Sequence, residues 1–279
     1  MTVSAYGSDA MEPFVTRDGA YLLFNDRNDP ATDTNLFAAA ANGELDFAFV
    51  GPLTGANSSA LDGVASVDDR GDLVFVSTRS YDQTASTLYV GTFADAAASD
   101  VALIPGVSRA EPTVVNFDAE ISADGNQLYF VDGVIDPGAP LPSAADLVIA
   151  DRDGSGFTRR ADSAAILANV NSSALEYAPA TTADQLELFF DRFDPATDSV
   201  PSIYHATRRS PDEPFGVPSR VAATGAGLVE GATVSPDGLA IYYHQLDGDR
   251  YNLYRIARSA LSVAAVEPTL SLRAAPSPR

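Results

Sequence analysis

SPDGLAIYY, Ser235 to Tyr243, reads as a tight turn feeding an apolar strand, and four looser copies precede it. These are TRDGAYLLF from Thr16, DDRGDLVFV from Asp68, SADGNQLYF from Ser122 and TADQLELFF from Thr182. The marker aspartates Asp18, Asp69, Asp124, Asp184 and Asp237 lie 51, 55, 60 and 53 residues apart, and four residues beyond them stand Leu22, Leu73, Leu128, Leu188 and Ile241. A second apolar segment follows each: NLFAAA from Asn35, TLYVGT from Thr87, DLVIAD from Asp146, SIYHAT from Ser202 and NLYRIA from Asn252. Such β-branched and aromatic runs suit pleated, largely buried strands. Segments before the turns (FVT, VASV, AEIS, APAT, ATVS) read as innermost strands, and LDFAFV, DVALIP, GFTRR, FGVPSR and TLSLR as outermost ones. One unit of this length cannot bury both faces alone, so the repeat predicts an all-β, five-bladed β-propeller with about four antiparallel strands per blade. The expected blades lie near residues 12–53, 62–106, 118–160, 176–221 and 230–273, with 274–279 as a C-terminal tail.

The SPDG turn at Ser235, with SADG at Ser122 and TRDG at Thr16, followed by a strand such as LYF and then DLxxA or NLYRxA, resembles the WD40-like PD40 repeats of TolB-type propellers. The resemblance spans roughly Met11 to Ser259, and the second and fourth copies depart from it, with Arg70 and Gln185 after the marker aspartate. It implies the fold and, by analogy, a periplasmic or secreted setting; propellers host many unrelated activities, so it implies no chemistry. For ring closure, either Thr2 to Tyr6 adds a strand to the last blade or Thr269 to Arg273 supplies its fourth strand, and the sequence leaves both open.

Thirty-eight acidic residues face 17 basic ones, all arginine, for a formal charge of -21. That field repels nucleic acid and anionic membranes and favours cationic ligands, metal ions or basic protein surfaces. No apolar run is long enough for a membrane span, so no membrane insertion is expected. The absence of cysteine excludes disulfides and thiolate chemistry. MTVSAYGSDAME has neither the basic nor the apolar region of a secretory leader. The expected location is therefore cytoplasmic, or periplasmic or secreted if a leader was removed; a monomer is expected.

Strand direction brings the start of each inner strand and the end of each second strand to one face, near the central channel. Acids stand at the first of these positions in every copy: Glu12, Asp62, Asp118 or Glu120, Glu176 and Glu230. At the second lie Asn25, Asp26 and Arg27, then Ser77, Thr78 and Arg79, Asp132, Asp191 and Arg192, and His244 with Gln245. Crowded acids raise one another's pKa or demand a cation, whereas arginines among them would lock each acid by bidentate bonds and tie blade to blade. Ligand contacts are accordingly expected from Glu12, Arg27, Asp62, Arg79, Asp118, Asp132, Glu176, Arg192, Glu230 and His244. Candidates for acid–base work are Glu12, Asp62, Glu176, Glu230 and His244. His205, inside SIYHAT, falls away from this mouth and reads as structural.

The DPATD loops at Asp29 to Asp33 and Asp194 to Asp198 offer side-chain oxygens. Asp29, Asp33, Asp194 and Asp198 are the metal candidates, and Ca²⁺ or another divalent cation is the one cofactor such loops would take. Their spacing is not that of an EF-hand, which favours structural Asx turns over a metal site. No nucleophile elbow, zinc helix or phosphate loop occurs. The main expectation is a non-catalytic module whose acidic mouth binds a small polar or cationic ligand, a glycan or a protein. The alternative is an enzyme acting on a sugar or similar molecule through paired carboxylates, as in glycoside hydrolases.

Overall fold

The computed structural model describes residues 1–28, 33–136, 138–139, 141–221 and 227–258. Four of the five turns are built around a hydroxyl and a carboxylate. The hydroxyls of Thr16, Ser122, Thr182 and Ser235 donate to Oδ1 of Asp18, Asp124, Asp184 and Asp237, all at 2.6 Å. The same oxygens accept the N–H groups of Ala20, Asn126, Leu186 and Leu239. The residue after the aspartate is left-handed, with φ of +72° at Gly19 and +69° at Gly238, which explains the glycine; Gln185 holds +58° in its place, at a cost on the order of 1 kcal/mol. The second copy differs from the sequence reading. Its turn is one residue shorter, and Asp68, not Asp69, is the cap: its Oδ1 accepts the N–H groups of Arg70 and Asp72, both at 2.8 Å.

The strands run in chain order as β1 (Thr2–Ser4), β2 (Met11–Val15), β3 (Tyr21–Asn25), β4 (Leu36–Ala41) and β5 (Asp46–Pro52). Next come β6 (Asp62–Val67), β7 (Asp72–Ser77), β8 (Leu88–Ala94) and β9 (Ala97–Leu103), with the short helix α1 (Tyr81–Thr84) between β7 and β8. The third run is β10 (Val114–Ile121), β11 (Gln127–Val134), β12 (Ala144–Asp153) and β13 (Gly156–Arg159), closed by α2 (Ser163–Ile166). The rest are β14 (Leu175–Thr181), β15 (Glu187–Phe193), β16 (Ser202–Thr207), β17 (Ser219–Arg220), β18 (Val229–Val234), β19 (Ala240–Asp247) and β20 (Arg250–Ala257).

Hydrogen bonding joins them into four sheets where five blades were expected. The reason is one parallel pair, Ala145 with Leu175, which fuses β10–β13 to β14–β17. Packing follows the chain more simply. The inner strands β2, β6, β10, β14 and β18 each lie beside the next, and β18 lies beside β2. Apolar clusters fill the wedges between consecutive segments: Leu23 and Phe75, Val76 and Phe130, Tyr129 and Phe190, Phe189 and Val234, and finally Tyr242 and Phe24. This is the closed radial packing of a β-propeller.

The N-terminal segment does not extend the last sheet. β1 pairs in parallel with β5, on the outer edge of the first sheet. The alternative segment, Thr269 to Arg273, lies outside the described residues, as does the tail. Among the described residues the seam between first and last sheets is held by local bonds. Ala10 N–H donates to Tyr251 O at 3.1 Å, Tyr251 N–H to Asp9 Oδ1 at 2.8 Å and Arg250 to Ser8 O at 2.9 Å. Arg27 grips Asp9 at 2.7 Å and stacks on Tyr251.

Candidate functional site

Every inner strand carries a β-bulge at one level. The register against the second strand slips between Met11 and Phe14, Gly63 and Ser66, Phe117 and Glu120, Tyr177 and Ala180, and Glu230 and Thr233. The bulged residue is left-handed each time, with φ of +49° at Glu12, +53° at Val64, +49° at Asp118, +49° at Ala178 and +66° at Gly231. Only one of the five is glycine, so the remaining four carry backbone strain of about 1 kcal/mol or more each, concentrated on the axis. The next residue is always small or cyclic: Pro13, Ala65, Ala119, Pro179 and Ala232. These ten residues, with Phe14, Glu120 and Thr233, line an axial cavity of about 30 Å³, room for roughly two waters.

A bulge turns a backbone N–H out of its own ladder, and side chains of the ring take it up. Asn25 Oδ1 accepts Val64 N–H at 3.0 Å, Asp191 Oδ2 accepts Gly231 N–H at 2.7 Å, and His244 Nδ1 accepts Glu12 N–H at 3.2 Å. These three acceptors occupy one register position on their second strands, opposite Met11, Tyr177 and Glu230. In the third segment that position is Val131, and the amide of Ala178 is taken instead by Asp118 Oδ2 at 3.1 Å. The polar ends of those second strands are thus ties from one sheet to the next.

Four carboxyl groups converge here. Glu12, Asp118 and Glu230 are partly exposed at the channel, and Asp191 has no exposed surface. Burial, then Glu230, push Asp191 well above the ordinary aspartate value, and the Gly231 N–H offsets only part of it. Burial and Glu12 do the same to Asp118. Glu12 is raised by burial and by Glu230, with His244 opposing. His244 is also without exposed surface. Burial disfavours its charge, the carboxylates of Glu12 and Glu230 favour it more, and the balance lies above the ordinary histidine value. A second ring proton must nevertheless displace the Glu12 N–H from Nδ1, so the bonded tautomer keeps its proton on Nε2, 3.7 Å from Glu230 Oε2. The hydroxyl of Tyr177 donates to Glu230 Oε1, and burial next to that carboxylate raises its pKa. Gly231 is the contact point of the group: a Cβ there would collide with Glu12 Oε2 and lie 2.8 Å from His244 Nδ1.

The expected ring of five acids does not form, because the acids stand at different distances from the bulge of their strands. Glu12 and Asp118 are bulge residues, Glu230 stands one residue earlier, and Asp62 and Glu176 two residues earlier. Asp62 and Glu176 have no exposed surface and sit in matching arginine locks. Asp62 accepts from Ser58 and from Arg79 at 2.6 Å, and Arg79 stacks on Tyr89. Glu176 accepts from Ser172 and from Arg192 at 2.7 Å, and Arg192 stacks on Tyr204. Asp132 is bidentate to Arg159 and also meets Arg109 at 3.0 Å. Arg27 belongs to the seam. Glu120, the alternative to Asp118, pairs at 2.7 Å with Arg17, which reaches over from the first segment and ties the turn end of the channel.

His205 lies outside this group, bonded to Glu187 at 2.6 Å and stacked on Phe189. Asp194 and Asp198 form a self-contained Asx turn, with Asp194 N–H donating to Asp198 Oδ2 and Ala196 N–H to Asp194 Oδ1, both at 2.9 Å. Asp29 lies outside the described residues, and the backbone carbonyl of Asp33 accepts from the Asn35 side-chain amide at 3.4 Å. Among the described residues no group of three or more His, Asp or Glu is disposed to hold a metal ion. Of the channel group, Tyr177 is absent from the sequence reading, and Asp191 appears there among the polar residues at the mouth without being counted a ligand contact. The Pro/Ala residue recurring third in MEPFV, GVASV and YAPAT was the available sign of the bulges.

No family model matches the chain, and no curated protein matches it. Solved structures resemble it in fold. One is a thermostable family-43 glycoside hydrolase (TM-score 0.53, 11% identity, 93% of this chain and 97% of that one). Others are a gluconolactonase from Xanthomonas campestris (TM-score 0.52, 16% identity, 90% and 77%) and a TolB candidate from Agrobacterium tumefaciens (TM-score 0.50, 12% identity, 89% and 77%). At these identities the likeness concerns the fold alone.

Proposed function

We propose that the chain is one closed, five-bladed β-propeller that binds a small cationic ligand at the acidic mouth of its channel. The blade count rests on the five bulged inner strands and five apolar wedges; the parallel pair Ala145–Leu175 then bridges two blades without merging them. One observation carries the ligand class. The buried acids outside the channel group, Asp62, Glu120 and Glu176, each have an arginine, whereas Glu12, Asp118, Asp191 and Glu230 face one another with only His244 between them. Such a site is relieved by protons or by a cation brought from outside.

The acid–base alternative has one feature in its favour: burial beside other carboxylates pushes Asp118 and Asp191 well above the ordinary aspartate range, the kind of separation a general acid and its partner require. A thermal-shift screen of organic cations, neutral glycans and anions, run beside an aryl-glycoside assay, tests both readings. Organic cations should stabilise the wild type and lose that effect in Asp118→Asn. Stabilisation by neutral glycans alone, or glycoside turnover abolished in Asp118→Asn, would overturn the cation reading.

A further inference from the structure

We propose that the turn end of the molecule, opposite the channel mouth, carries a second site: a groove between the first and second segments that takes a neutral saccharide. The repeat itself marks the place. Six residues beyond Asn35, Thr87, Asp146, Ser202 and Asn252, which open the third strands of the five segments, stand Ala41, Phe93, Arg152, Arg208 and Arg258. Each of the three arginines closes the gap to the preceding segment. Arg152 donates to Asp72 at 2.7 Å, Arg208 to the Tyr129 hydroxyl at 2.6 Å and Arg258 to Glu187 Oε1 at 2.8 Å. Where Phe93 stands instead, the link to the first segment is an edge-on ring contact with Tyr21, centroids 5.6 Å apart. A groove of about 600 Å³ remains open beside it, within the range of about 300–1,000 Å³ of small-molecule sites. The gap at Ala41 is also open but smaller, about 310 Å³.

Arg17 supplies an independent sign of a ligand. It forms part of the groove wall, and its side chain is only 9% exposed. Its Nη2 is spent on Glu120 Oε1 at 2.7 Å and Ile121 O at 3.0 Å, while the buried Nε–H has no acceptor. An unmet buried donor is unfavourable, and a ligand oxygen relieves it. Among the described residues the Tyr21 hydroxyl and the exposed carboxylates of Asp69 and Asp95, on the same walls, are also without partners. Donors and acceptors therefore stand side by side. A hydroxyl is the group that serves both, and a saccharide carries several around a ring whose C–H face suits the aromatic pair Tyr21 and Phe93. An anion would meet four aspartates, Asp18, Asp68, Asp69 and Asp95, with the Arg17 charge already paired to Glu120. An organic ammonium, which has no acceptor, would leave the Arg17 Nε–H unmet.

Isothermal titration with cellobiose, maltose and lactose, beside benzoate and benzylammonium as charged ring probes, tests this. At least one disaccharide should bind the wild type with a Kd of about 1 mM or tighter, and more tightly than either charged probe. Phe93→Ala should weaken it at least about tenfold, and Phe93→Arg, which restores the arginine of the other segments, should abolish it. Asp95→Asn, at an exposed position, should weaken it several-fold and serves if the Phe93 variants fail to fold. Asp118→Asn, in the channel, should leave it unchanged. Binding of no disaccharide, or tighter binding of benzoate or benzylammonium, would overturn the saccharide groove. Binding kept in Phe93→Arg but lost in Asp118→Asn would place the saccharide at the channel mouth and overturn the groove equally. The two sites lie at opposite ends, so stabilisation by organic cations at the mouth can persist where saccharide binding fails.

Discussion

Asp191 shows how one buried residue can serve the backbone and set the chemistry of a site. Its Oδ2 holds the Gly231 amide, while its charge is opposed by burial and by Glu230. A carboxyl whose folded pKa is raised binds protons more tightly in the folded state, so stability falls as pH rises from the ordinary aspartate value through its own. Asp191→Asn keeps an amide-accepting oxygen and removes that loss. Its melting temperature should exceed the wild type's by at least about 2 °C at neutral to alkaline pH and match it near pH 4, as thermal melts across pH would read. His244 carries the opposite lesson. A lone histidine ending IYYH reads from sequence as a ligand or base, yet it is fully buried and accepts Glu12 N–H across the ring seam. His244→Ala leaves that amide unmet and should cost about 1–3 kcal/mol in denaturant melts. His244→Asn, which copies Asn25 at the same register position, should recover part of it.

At the scale of the element, the turn and the bulge explain what the sequence disclosed and what it withheld. The turns were legible because their chemistry is local: a hydroxyl, an aspartate and a glycine within four residues. The exception, Asp68 in place of Asp69, arises where a one-residue deletion leaves two adjacent aspartates and spacing alone favours the wrong one. Asp68→Ala removes the acceptor for two amides and should cost about 1–3 kcal/mol. Asp69→Ala, whose exposed side chain caps nothing in the turn, should stay within about 0.5 kcal/mol; paired urea titrations compare them directly. The bulges were not legible as elements. The acids stand at different distances from the bulge, Glu12 at it and Asp62 and Glu176 two residues before it, so acids that align by eye end at different levels, two in arginine locks and one on the axis. Tyr177 was missed for the same reason.

For the whole molecule, wedges between sheets hold the ring and an excess of negative charge strains it. Phe24, Phe130, Phe189 and Tyr242 stand in the second strands and are buried in three of the five wedges, Phe24 and Tyr242 sharing one, so replacing Phe130 by alanine should cost about 3–5 kcal/mol. These residues were legible as core because their strands repeat; how the ring closes was not, because the seam depends on isolated bonds of Ser8, Asp9 and Ala10 that carry no periodic signal. At a formal charge of -21, added salt should raise the melting temperature by screening self-repulsion. The central claim is that four channel carboxyls have only His244 as a basic partner within the protein. Carbon-13 NMR titration of the Asp and Glu carboxyls in the ligand-free protein tests it most directly. Asp118 and Asp191 should titrate well above the ordinary range, while Asp18, Asp184 and Asp237, held down by hydroxyl and amide donors, should titrate below it. Channel carboxyls that instead titrate together in the ordinary range would mean a solvated channel with no call for a cation, and would contradict the account.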